Sequence, residues 1–173
     1  KVVYLPRTEG ISSTMLRAET TTDVCIGIIG CGRVARRFPV EANVVNGVKI
    51  VATYDINLTE AKNLASSIGG VKVCKSVDEL YDFVDAVYIA TPHLAHYDQT
   101  KYALMHNRHV LCETPLVLRG DQAQELYELA REKSLVLLEA NKTAYCPAFN
   151  HLITLIKSGL IGDVVGIDAS ESK

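Results

Sequence analysis

The residues best suited to chemistry begin in the stretch CIGIIGCGRVARRF, Cys25–Phe38. An apolar run ends in Gly30-Cys31-Gly32-Arg33-Val34-Ala35, the pattern GxGxxA. Glycine at position 30 permits a tight turn, and glycine at 32 lets a pyrophosphate approach the main chain. Alanine at 35 is small enough for a helix to pack on the strand. An anion is then expected at the helix N-terminus, on free N–H groups and the positive end of the dipole. A second apolar run ends in Asp55, twenty residues after Ala35, where a carboxylate accepts hydrogen bonds from an adenosine ribose. Together these residues predict dinucleotide binding. The carboxylate would repel a 2′-phosphate, and Ile56-Asn57 offers no arginine to receive one, so NAD(H) is favoured over NADP(H).

Further candidates lie at the ends of later apolar runs. Ala90-Thr91-Pro92-His93 closes one of them, and Pro92 stops its ladder. Thr91 and His93 are expected to project into the crevice beyond the strand ends. His93 and His96 are three apart and could share a helix face, but no third ligand accompanies them and no metal centre is predicted. Cys112-Glu113-Thr114-Pro115 closes the next run, and Lys142 follows the one after that. Threonine at 114 is short, uncharged and no base at neutral pH. Lys142 either reaches the same end of the sheet or points to water.

Parallel strands buried on both faces are what would bring these residues together. Cys25–Ile29, Lys49–Tyr54, Ala86–Ala90, His109–Cys112, Val136–Glu139 and Val164–Ala169 read as strands, several apolar at consecutive positions. Helical spacing appears over Asn57–Ile68, His96–His106 and Arg119–Lys133, with Gly69-Gly70 closing the first. A further helix is expected over Val34–Val45, where Pro39 either kinks it or starts a new turn. The alternation implies right-handed βαβ units and a doubly wound parallel α/β sheet.

The bulk properties agree with a globular domain. Of the 173 residues, 48% are apolar and 22% charged, and the net charge is −2. That balance argues against a nucleic-acid surface or a polybasic membrane patch. No apolar run reaches the length of a membrane span, and nothing resembles a signal peptide. Cys25, Cys31, Cys74, Cys112 and Cys146 form no CxxC pair and read as small apolar residues in a reducing cytoplasm.

From Val24 to about Ala169 the chain resembles the Gfo/Idh/MocA family of NAD(P)-dependent oxidoreductases, named for glucose–fructose oxidoreductase and inositol dehydrogenase. The most specific elements are ATPHLAH (Ala90–His96), HVLCETPL (His109–Leu116) and PAFNHLITLIKSGLIGDVVGI (Pro147–Ile167). The resemblance implies a Rossmann domain with Gly30, Gly32, Asp55, Thr91, Pro92, His96 and Glu113 on cofactor-contacting positions, and Cys31, Arg33, Val34, Ala90, His93 and Thr114 beside them are expected to complete the cofactor site. The family's strand end reads E-K-P, its lysine reaching nicotinamide and substrate. Here Glu113 and Pro115 match and Thr114 does not, which leaves Lys142 as the candidate catalytic lysine. The substrate class implied is a sugar, polyol or similar hydroxy compound. A nucleotide-binding sensor without catalysis is the alternative that Thr114 keeps open.

Residues 23–150 are assigned to the dinucleotide-binding domain. Residues 151–173 are read as a crossover helix and the first strand of an α+β substrate domain that is largely missing; that domain would also carry any homo-oligomer interface. Residues 1–22 are read as a tail or linker. Within it, VVYLPRTEGISST resembles the closing segment of glycerol-3-phosphate-type cytidylyltransferases, with Arg7, Thr8, Gly10, Ile11, Ser12 and Thr14 matching; the other reading is a hydroxyl-rich linker.

Overall fold

A computed structural model describes residues 23–168 and 170. The similarity of Val2–Thr14 to a cytidylyltransferase segment therefore falls outside the described residues. Six strands form one parallel sheet: β1 (Val24–Ile29), β2 (Val48–Tyr54), β3 (Lys72–Val73), β4 (Ala86–Ile89), β5 (His109–Cys112) and β6 (Leu137–Glu139). Their order is β3-β2-β1-β4-β5-β6. The strand order reverses between β1 and β4, so a crevice opens there beyond the carboxyl ends.

The helices are α1 (Phe38–Ala42), α2 (Leu58–Ser67), α3 (Val77–Tyr81), α4 (His93–Met105), α5 (Gly120–Glu132), α6 (Lys142–Tyr145) and α7 (Pro147–Lys157). Local chemistry sets their ends. Asn57 caps α2, its side chain accepting from the Thr59 N–H at 3.1 Å. Past the other end Gly70, at φ +79°, donates to the Ala65 carbonyl. Ser76 caps α3 by accepting from the Glu79 N–H.

Both faces of the sheet are covered, as the consecutive apolar positions require. One face buries Ile29, Leu80, Ile89, Leu104, Leu126 and Leu137 in a single cluster. The other buries Ile28, Cys31, Ala35, Ala61, Leu64 and Tyr88. Leu104 is fully enclosed, so truncation to alanine would cost about 2–5 kcal/mol in lost burial and cavity.

Two sequence expectations change. Residues 33–37 turn rather than form the start of a Val34–Val45 helix, and a short helix begins only at Phe38. Pro39 stands in its first turn, where a missing N–H costs nothing, so proline restarts the helix rather than kinking it. Val164–Asp168, expected as strand, has no ladder partner among the described residues and lies exposed. A single strand with nothing to pair against gains no ladder hydrogen bonds. The helix α7 runs from Pro147 to Lys157, across residue 150. Two short elements, β3 and α3, had no periodic signal to announce them.

Candidate functional site

The crevice is built first by the turn after β1. Gly30 adopts φ +87°, a conformation an L side chain rarely takes, and its N–H donates to the Tyr54 carbonyl. A Cβ there would come within 2.7 Å of the Thr91 side chain and 2.8 Å of the Ala90 main chain. Glycine thus lets the ends of β1 and β4 touch. Gly32 is different: a Cβ there would meet no protein atom within 4 Å. The space above it is open, which is what a pyrophosphate needs.

Asp55 joins this turn to the end of β2. Its Oδ2 accepts from the Cys31 N–H and its Oδ1 from the Asn57 N–H, both at 2.7 Å. A carboxylate has about four acceptor sites, so two remain for ribose hydroxyls. The Cys31 side chain faces inward, and burial pushes its thiol up to about 12. Cys31 therefore contributes packing and one main-chain N–H, not a thiolate.

The N–H groups of Gly32, Arg33 and Val34 find no acceptor among the described residues. The expected helix N-terminus is replaced by this turn, since helical geometry begins only at Phe38. An anion at this turn would meet free N–H groups rather than the end of a helix dipole. The residues present fit a dinucleotide: an open glycine turn, free donors and an anchored carboxylate.

On the other side of the switch point the polar groups are side chains. A cleft of about 590 Å³ opens beyond β4, β5 and β6. Tyr88, Glu113, Thr114 and Lys142 all line it, together with Phe38 and Glu41 from α1. Tyr88 is buried and stacks on Phe38 with ring centroids 4.0 Å apart. Its phenol donates to Glu113 Oε1. Burial first, and then the Glu113 carboxylate, push the phenol well above its ordinary value, so it stays a proton donor. Thr114 is exposed beside this pair.

Lys142, the first residue of α6, reaches across to α1, its Nζ 2.6 Å from Glu41 Oε1. The Lys142 ammonium holds the Glu41 carboxyl below the usual carboxylate range, chiefly through this hydrogen bond.

The predicted β4 residues divide. Thr91 donates to Gln99 Oε1 at 2.5 Å. His93 and Pro92 are exposed at the start of α4. His96 shares a helix face with His93, with ring centroids 5.6 Å apart, but it points into the protein and is fully buried. Its Nδ1 lies 2.8 Å from the Pro115 carbonyl oxygen and its Nε2 2.8 Å from that of Thr91. The ring thus spans the loops after β4 and β5 instead of facing the crevice. Sequence reasoning missed Phe38, Glu41 and Tyr88. Their partners lie 25 to 101 residues away along the chain, so no local pattern marks them.

Fold and site together define a dinucleotide-binding domain with parallel strands ordered about a switch point. Residues 24–141 match the oxidoreductase family with an NAD-binding Rossmann fold, and the chain belongs to that Gfo/Idh/MocA family. It is 30% identical over 142 residues to glucose-6-phosphate 3-dehydrogenase of Bacillus subtilis, covering 82% of this chain and 40% of that protein. It is 32% identical over 154 residues to dTDP-3,4-didehydro-2,6-dideoxy-alpha-D-glucose 3-reductase of Streptomyces violaceoruber, covering 88% and 45%. Among solved structures, the 3-ketoreductase KijD10 from Actinomadura kijaniata, in complex with NADP and TDP-benzene, superposes with a TM-score of 0.76 at 28% identity. That superposition covers 82% of this chain and 44% of the other. The chain thus spans less than half the length of these relatives. No helix among the described residues is long and apolar enough to cross a membrane.

Proposed function

We propose that this chain is the NAD-binding part of a dehydrogenase or reductase acting on a sugar, polyol or similar hydroxy compound. The observation that carries the reading is the Gly30–Gly32 turn tied to Asp55 through the Cys31 N–H. The turn leaves room and free donors for the pyrophosphate, and Asp55 keeps acceptor sites for the adenosine ribose. A bound nicotinamide would supply hydride acceptance or donation. The chain's own residues bind and orient it. Gly32, Arg33 and Val34 hold the phosphates on the turn that Gly30 permits; Thr91, Pro92, Glu113 and Thr114 border the nicotinamide half, with Ala90 and His93 beside them. His96 acts from behind, on the loops that carry these residues.

NAD(H) is the preferred form, because Asp55 would repel a 2′-phosphate and Ile56, 96% exposed, offers nothing to bind one. One relative was crystallised with NADP, so the preference belongs to this chain's own β2 end. Lys142 serves as the cation at the nicotinamide site in place of the family lysine, supported by its place in the cleft beside Thr114. Substrate choice and any homo-oligomer contact fall to an α+β domain beyond these residues. Five free cysteines suit a reducing cytoplasmic setting, and the net charge of −2 argues against a nucleic-acid partner.

Calorimetric titration with NAD(H) and NADP(H) tests this. NAD(H) should bind, with NADP(H) weaker by roughly tenfold or more. Equal affinities would sink the cofactor preference, and no binding of either would sink the whole reading. A second reading, a nucleotide-binding sensor without catalysis, draws on Thr114 standing where the family has lysine. A full-length protein that oxidises a sugar with Thr114 in place would eliminate it.

A further inference from the structure

Lys142 presents a physical problem. It carries four rotatable carbons from the first position of a four-residue helix, and its side chain is 73% exposed. Such a lysine samples many rotamers and spends little time over any one site. A lysine rising directly from the end of β5, at position 114, would not face this difficulty.

Glu41 answers it from the opposite bank of the cleft. It belongs to α1, the short helix that Pro39 restarts, and its Oε1 lies 2.6 Å from the lysine Nζ. Both residues line the cleft that holds Glu113 and Thr114. The pair joins segments 101 residues apart. Glu41 is itself 53% exposed, so the pair adds little stability and its removal should leave the fold intact. The Lys142 hydrogen bond, and to a lesser degree the charge of Arg37, keep the Glu41 carboxyl ionised well below neutrality.

We propose that Glu41 is a positioning residue: it tethers Lys142 across the cleft, so that a cation from α6 occupies the region the family serves from position 114. The inference rests on the reading of Lys142 as the cation of the nicotinamide site. The tether also restores part of the pre-organisation lost with the β5 lysine.

The test needs no turnover. NAD+ carries a positive nicotinamide ring and NADH a neutral one, while the rest of the dinucleotide is common to both. A fixed cation by the ring therefore lowers the affinity for NAD+ relative to NADH. Dissociation constants for both forms are measured by calorimetry on the full chain: unchanged, with Lys142→Gln, with Glu41→Gln, and with both. Melting temperatures verify that all four fold alike. With Glu41 present, Lys142→Gln should improve NAD+ relative to NADH by roughly fivefold, the size of a unit charge felt across a wet cleft. In the Glu41→Gln background the same lysine substitution should change the ratio by less than about twofold.

An equal or larger change in that background would overturn the proposal, since the lysine would then find its place untethered. If Lys142→Gln moves both affinities alike and leaves the ratio fixed, Lys142 is not at the nicotinamide and both lysine inferences fall, while NAD binding stands. If the unaltered chain binds neither form, the dinucleotide reading fails and takes this one with it.

Discussion

At the ends of β1 and β2 the polar contacts run through the main chain. Gly30 donates to Tyr54, and Cys31 and Asn57 donate to Asp55. At the ends of β4, β5 and β6 they run between side chains, Tyr88 to Glu113 and Lys142 to Glu41. The first bank is rigid and tolerates little substitution, because changing a residue type there changes the backbone path. The second bank can exchange residues while the strands beneath it stay put, and Thr114 stands exposed on it. On the proposed reading a dinucleotide would meet main chain with its phosphate and ribose half and side chains with its reacting half.

Four substitutions would break or sharpen that contrast. Gly30→Ala should have the largest effect, since it forces a side chain into φ +87° and against Thr91 and Ala90. A loss of about 3 kcal/mol in denaturant unfolding is expected; a loss below about 1 kcal/mol would mean the turn is not held as described. Asp55→Ala removes the acceptor of two main-chain donors as well as the proposed ribose contact. It should lower stability by about 2 kcal/mol and NAD affinity by more than roughly tenfold. Unchanged binding in calorimetry would refute the ribose assignment.

On the opposite bank the effects should be smaller. Tyr88→Phe keeps the stack on Phe38 and deletes only the phenol–Glu113 hydrogen bond, for about 1 kcal/mol in thermal or chemical unfolding. A cost above about 3 kcal/mol would show this bank to be as rigid as the first. Thr114→Lys should shift stability by less than about 0.5 kcal/mol, because residue 114 is exposed. It should nevertheless favour NADH over NAD+ in titration, and gain of sugar oxidation in a full-length protein would mark a lapsed site restored.

The same contrast explains what could be read without coordinates. The β1–β2 bank was legible because its determinants are local: two glycines, an alanine and an acid at fixed offsets. The doubly wound parallel sheet followed from alternation and the right-handed crossover rule, while the order of its strands came only with the fold. The β4–β6 bank was legible only in outline. Thr114 and Lys142 could be placed at strand ends, but the partners Tyr88 and Glu41 are fixed by tertiary packing. The burial of His96 was not legible for a related reason, since helical spacing shows that two histidines share a face without showing which of them turns inward. Pro39 admitted two outcomes because its effect depends on what packs above it, and Phe38 stacked on Tyr88 is what favours the restart. Val164–Asp168 has the composition of a strand, but strand formation requires a neighbour.

The buried imidazole of His96 also bears on how the crevice moves. Its two nitrogens lie within 2.8 Å of carbonyls that belong to different loops, one after β4 and one after β5. Neither loop can swing outward without drawing the ring along or abandoning it, and an abandoned ring would be a polar group left in an apolar interior. The two loops should consequently breathe as one cooperative unit. Amide exchange near Thr91 and near Leu116 would then report a common opening free energy, and both would slow together when a dinucleotide settles against either loop.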